Sequence, residues 1–113
     1  MEEVIVQEEV DVKNTELEAK RSELIDKLKE EYKLLTSLTI KCGQDEDTIV
    51  LYGVRYRGTK GQPSRAQIDY LKGLPNVKYI STSNLMKSNK WFLSSCINIA
   101  KDNEDWTFKV DIC

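Results

Sequence analysis

The chain contains no histidine among its 113 residues. That absence removes Ser-His and Cys-His nucleophile pairs, His-ligated zinc and imidazole acid–base chemistry together. An ordinary hydrolase is therefore not expected, and no catalytic residue is assigned. No stretch approaches the ~18 consecutive apolar residues of a membrane-spanning helix. The opening Met1-Glu2-Glu3 lacks the basic flank and apolar run of a secretory signal. Cysteine is sparse: Cys42, Cys96 and Cys113 lie far apart with no C-x-x-C pair, which excludes a structural zinc site on ligand count. An odd number of cysteines without a secretory signal predicts reduced thiols in a cytoplasm, not a disulfide framework. Cys42 and Cys96 fall in apolar-patterned stretches and are expected as buried small hydrophobes. Cys113 is expected at the surface, with nothing basic beside it to lower its pKa. Internal repeats and low-complexity segments are also missing.

What is present is charge, unevenly placed. The length suits one domain with a single core, and 32% of residues are charged, above the usual share. Residues 1–35 hold eleven acids and six bases, whereas residues 36–113 hold eight acids and eleven bases. Within the second part, Val54–Lys90 carries eight bases against the single acid Asp69, a local charge of +7. A ligand responds to such a local field more than to the net charge of −2. The alternative is a surface whose charge only keeps the protein soluble.

Residues 1–14 read as an acidic arm carrying Glu2, Glu3, Glu8, Glu9 and Asp11, expected to be disordered or to form an edge strand on docking. Thr15-x-x-Glu18 matches a capping box, and Leu17, Leu24, Ile25, Leu28, Tyr32 and Leu35 recur at helical spacing, predicting a helix over 15–36. Arg21 and Glu31 interrupt its apolar stripe, which favours packing on a sheet over a long coiled coil. Thr39–Cys42 and Thr48–Tyr56 predict a hairpin around the polar turn Gly43–Asp47, with Gly53 as a possible bulge site. Residues 57–63 are loop. Ser64-x-x-Gln67 matches a second capping box ahead of a short helix that ends before Pro75. Val77–Ile80 reads as a brief strand or connector and Ser81–Asn84 as a polar break. A helix over 88–101 and a half-buried strand through Trp106, Phe108, Val110 and Ile112 complete the chain. The expectation is a single α+β domain over 15–113. Its small antiparallel sheet, a hairpin plus the C-terminal strand, is covered by an N-terminal helix and two shorter helices.

Gly58-Thr59-Lys60-Gly61 lacks the longer glycine spacing and closing Gly-Lys-Ser/Thr of a P-loop. Its letters match a KH-type G-x-x-G clamp, but that clamp joins two helices and this segment follows a strand. The physical content survives without either family. Small residues let backbone N–H groups approach an anion, and Arg55, Arg57, Lys60 and Arg65 surround them. Gly58, Gly61 and Ser64 are the candidate phosphate loop, with Ser64 opening a helix whose amides favour anions. Lys72, Lys87 and Lys90 would extend the basic track. The competing reading is an ordinary flexible crossover loop. Aromatic residues interleave with these bases as they do in single-strand grooves. Tyr70 and Trp91 are assigned to the core and Tyr56 is the stacking candidate. The acid clusters Asp45–Asp47 and Asp102–Asp105 lack EF-hand spacing and read as solvated turns, so no metal site or cofactor is assigned.

Ser64, Gln67, Ile68, Tyr70, Leu71 and Leu74, followed by Lys90, Trp91, Ser94 and Ile97, match the pattern S/T-x-x-Q-I-x-Y-L-x-x-L … K-W/R-x-x-S-x-x-I. Residues 64–101 thereby resemble a short two-helix module of phage and bacterial DNA-metabolism proteins, departing from it at Phe92 and Leu93. The resemblance implies nucleic-acid metabolism in a mobile element. Two functions follow as expectations. One is a non-enzymatic protein binding DNA or RNA through phosphate contacts of the basic block. The other is an interaction or inhibitor module that docks on a host protein through the acidic arm and first helix. A membrane partner is not expected.

Overall fold

A computed structural model describes the backbone of residues 2–112 and the side chains of residues 16–112. The elements are α1 (Glu2–Glu31), β1 (Leu38–Cys42), β2 (Thr48–Gly53), α2 (Arg65–Lys72), β3 (Val77–Lys78), α3 (Thr82–Leu85), α4 (Lys90–Asp102) and β4 (Thr107–Ile112). The class is α+β, as expected. Its first helix is longer than the pattern suggested. Residues 2–14 carry helical backbone continuous with the rest of α1, in place of an arm or edge strand. No glycine or proline occurs between residues 2 and 31 to stop it, and acids are favoured at a helix N-terminus. Thr15 therefore lies inside the helix, and its capping-box letters mark no boundary. The C-terminal end falls at Glu31, five residues short of the predicted one.

The four strands lie in the order β1-β2-β4-β3. β1 and β2 form the predicted antiparallel hairpin, with Ile40 opposite Leu51. β4, expected antiparallel, runs parallel to both β2 and β3. The cause is the connections: α2 lies between β2 and β3, and α4 between β3 and β4. Each helix carries the chain back to the starting edge before the next strand begins, so all three strands point the same way. β2 ends at Gly53, which pairs in regular register with Leu38 and Ile112, so no bulge forms. The missing side chain is needed here because a Cβ would sit 2.8 Å from the Phe92 ring.

Register places Ile40, Leu51 and Val110 in one row and Ile49, Phe108 and Val77 in another on the same face. Both rows are buried with Ile25 and Leu28 of α1, Ile68 and Leu71 of α2, and Phe92, Leu93 and Ile99 of α4. The helices thus form one layer over one face of the sheet. Thr39, Lys41, Lys78 and Lys109 point the other way and are exposed.

Several burial expectations change. Cys96 is buried as expected, but Cys42 is exposed at the end of edge strand β1; Cys113 lies outside the described residues. Tyr70 and Trp91, assigned to the core, are 51% and 50% exposed. On α2 the inward face belongs to Ile68 and Leu71, and on α4 to Phe92, Leu93 and Cys96, which turns both rings outward. The polar break at Ser81–Asn84 is a one-turn helix, because the Ser81 hydroxyl accepts the Asn84 N–H.

Candidate functional site

The two crossover helices run against the parallel strands, so the N-termini of α2 and α4 both face the carboxyl ends of β2 and β3. In open α/β sheets this edge is where ligands are held. The loop over residues 54–63 leaves β2 at this edge and is fastened to the entrance of α4. The Tyr56 N–H donates to the Lys87 carbonyl at 2.7 Å, and the Lys90 N–H to the Gly61 carbonyl at 2.8 Å. The Gly61 N–H donates to Tyr56 Oη at 3.0 Å. The Tyr56 and Trp91 rings meet edge to face, centroids 6.3 Å apart at 81°, a favoured aromatic geometry.

This latch explains the glycines. A Cβ at Gly61 would lie 2.6 Å from Tyr56 Oη and closer still to the Trp91 ring, and one at Gly58 would collide with Tyr56 Oη. Both positions are glycine because two rings pack against the loop, and the Gly61 N–H is already engaged. Ser64 is the α2 N-cap: its hydroxyl accepts the Gln67 N–H at 3.1 Å. Only half of the capping box forms, since the Gln67 amide donates instead to the Lys90 carbonyl at 2.8 Å and to Ser94 Oγ at 2.7 Å.

The latch gathers most of the predicted cations. Arg55, Arg57 and Lys60 are exposed on the loop, and Lys87 and Lys90 are exposed where α4 begins. Lys90 Nζ lies 5.2 Å from the centroid of Trp91, within cation–π range. Arg65 follows at the first residue of α2 and pairs with Asp69 at 3.3 Å; both side chains are exposed, so the pair is weak. The other ion pair among the described residues is Lys33–Glu30. Arg55, Arg57, Lys60, Lys87 and Lys90 therefore have no carboxylate partner among the described residues. Lys72 stands apart, in the last turn of α2, donating to Thr82 Oγ1 at 2.6 Å and lying 5.2 Å from the Tyr79 ring centroid.

A second basic group, Lys41, Lys78 and Lys109, shares the open face with Tyr52; of the three, the sequence block Val54–Lys90 includes only Lys78. Strand alternation gives the parity of each residue, but only register shows that they fall in one row. No group of three or more His, Cys, Asp or Glu side chains converges as a metal site among the described residues. Asp45 and Asp47 serve the hairpin turn, their carbonyls accepting from Arg21 and from the Thr107 N–H. No helix of the described residues is long and apolar enough to cross a membrane. Comparison with protein families, curated proteins and solved structures finds no match to this chain.

Proposed function

We propose that this is a small non-enzymatic protein that binds nucleic acid by its phosphate backbone at the carboxyl edge of the sheet. The observation that carries the reading is the set of five cations, Arg55, Arg57, Lys60, Lys87 and Lys90, without acid partners among the described residues. They project from two segments that the Tyr56–Gly61–Trp91 latch holds together. The N-termini of α2 and α4 add positive potential at the same edge. Phosphates suit such a surface because each contact releases condensed counterions, without selection of sequence. The resemblance of residues 64–101 to a module of phage and bacterial DNA-metabolism proteins supports a mobile-element setting, and reduced thiols fit a cytoplasmic one.

The test is fluorescence anisotropy with labelled single- and double-stranded oligonucleotides at low and moderate salt. Binding that weakens with salt is expected. The R55A/R57A/K60A variant should bind on the order of tenfold or more weakly and show a flatter salt dependence by about two to three units of slope. No binding of any oligonucleotide at low salt would end the reading.

One observation favours a second reading. The acid-rich residues 2–14 and the apolar-striped part of α1 are a single helix, so the acidic arm and first helix on which this reading rests are one continuous element. Here a partner held by the full chain should be released when residues 1–14 are removed; equal retention by both forms counts against it.

A further inference from the structure

The geometry points to the open face of the sheet as a second binding surface, one that takes single-stranded nucleic acid. This rests on the nucleic-acid reading above and narrows it from polyanions in general to strands with unstacked bases.

The register aligns one residue from each strand across this face. Lys41 lies opposite Val50, Val50 opposite Lys109, and Lys109 opposite Lys78. With neighbouring strands about 4.8 Å apart, the row spans about 14 Å between outer backbones, with three ammonium groups along it. Lys109 and Lys78 are like charges directly opposite each other, an arrangement that works against the sheet. All three lysines are exposed, and none has an ion pair among the described residues. Asp111 shares the face, opposite Tyr52, yet forms no ion pair with them. Lys41 Nζ instead lies 4.7 Å from the centroid of Tyr52. A face that keeps adjacent lysines without neutralising them is complementary to an anion from outside.

The rings identify the kind of anion. Over the row lies a cavity of about 350 Å³, with Asp45, Thr48, Val50, Lys78, Tyr79 and Lys109 in its wall. Tyr79 is 42% exposed, with Lys72 of the helix layer 5.2 Å from its ring centroid. Rings and cations side by side on one surface suit a strand whose bases are free to stack. A duplex keeps its bases stacked inside and cannot lay them on these rings.

The test compares a labelled single strand with the duplex of the same sequence, on the full chain, on K41Q/K78Q/K109Q and on R55A/R57A/K60A. Glutamine keeps the stems and removes the like-charge pair, so the open-face variant should melt no lower than the parent. Expected is about a tenfold or greater loss of single-strand affinity in that variant, with the salt slope reduced by about two and duplex affinity within twofold. Y79A should lose single-strand affinity with the salt slope unchanged, since a stacking ring releases no counterions. Unchanged single-strand binding in K41Q/K78Q/K109Q, with loss in R55A/R57A/K60A, would overturn this inference and leave the edge site standing. Equal losses for strand and duplex would also overturn it, leaving only a diffuse positive field. If the parent chain binds no oligonucleotide, the nucleic-acid reading falls with it.

Discussion

Arg21 interrupts the apolar stripe of α1, and the structure shows what it does there. The residue is 9% exposed. Its Nη1 donates to the carbonyls of Asp45 at 2.7 Å and of Gly43 and Thr48 at 3.3 Å, so one guanidinium closes the turn of the β1–β2 hairpin from the helix side. Its Nε has no partner among the described residues. Hydrogen bonds from a charged donor contribute more than neutral ones, and stranded carbonyls are costly. Arg21→Met, which keeps much of the apolar stem, should therefore destabilise the fold by about 2 kcal/mol in urea unfolding. A change under ~0.5 kcal/mol would show that the stem, not the guanidinium, matters here. From sequence this arginine reads as a flaw in a stripe, because its partners are backbone atoms more than twenty residues away. Asn76 is hidden for the same reason: its amide reaches the carbonyls of Ala100, Asn103 and Trp106, tying the end of α4 to the start of β4.

Local rules hold at the start of α2 and α4, though not of α1. Ser64 caps α2 as its spacing predicts, and Asn89 caps α4 by accepting the Phe92 N–H at 2.7 Å. The loop between β2 and α2 shows where those rules end. Its glycines invite a phosphate-cradle reading, but their reason is the pair of rings that close over them. Gly61→Ala should thus act as an overpacking change, costing about 1–3 kcal/mol as Trp91 is pushed off Tyr56. In a Trp106→Phe background the Trp91 emission should shift, and oligonucleotide binding should weaken with it. Full stability with unchanged emission would mean that the latch does not order this loop.

At the scale of the whole molecule, all helices cover one face of a mixed sheet. The β2–α2–β3 and β3–α4–β4 connections travel in opposite directions across that same face, so they have opposite hands and one is left-handed, the rare form. The core also sets how stability responds to pH. Burial pushes the Cys96 thiol well above its ordinary value of 9.0. Tyr32 is raised above 10.0, mainly by burial and further by Glu31, Asp102 and Cys96. Both groups hold their protons longer in the folded chain than in the unfolded one. The stability tied to them is complete below the unfolded values and is lost as pH rises through the folded ones. The unfolding free energy from urea titrations should decline above pH 9.0, the ordinary thiol value, by up to about 1.4 kcal/mol per pH unit from Cys96. The decline steepens above 10.0 as Tyr32 joins. Cys96→Ala should be less stable at neutral pH and flatter over the first unit of that decline; an equally steep decline would place the effect elsewhere.

The sequence by itself determined the class, the hairpin, the Ser64 cap, the burial of Cys96 and the existence of a basic block, because these follow from composition, periodicity and contacts a few residues apart. Tertiary structure decided the rest. The direction of β4 depends on the two helical crossovers, and the outward turn of Tyr70 and Trp91 depends on which helix faces meet the sheet. The grouping of Arg55, Arg57 and Lys60 with Lys87 and Lys90 depends on hydrogen bonds between segments some thirty residues apart. The lysine row of the open face depends on register among four strands. Register and face are properties of paired elements, and one strand's alternation cannot fix which residue of another lies beside it.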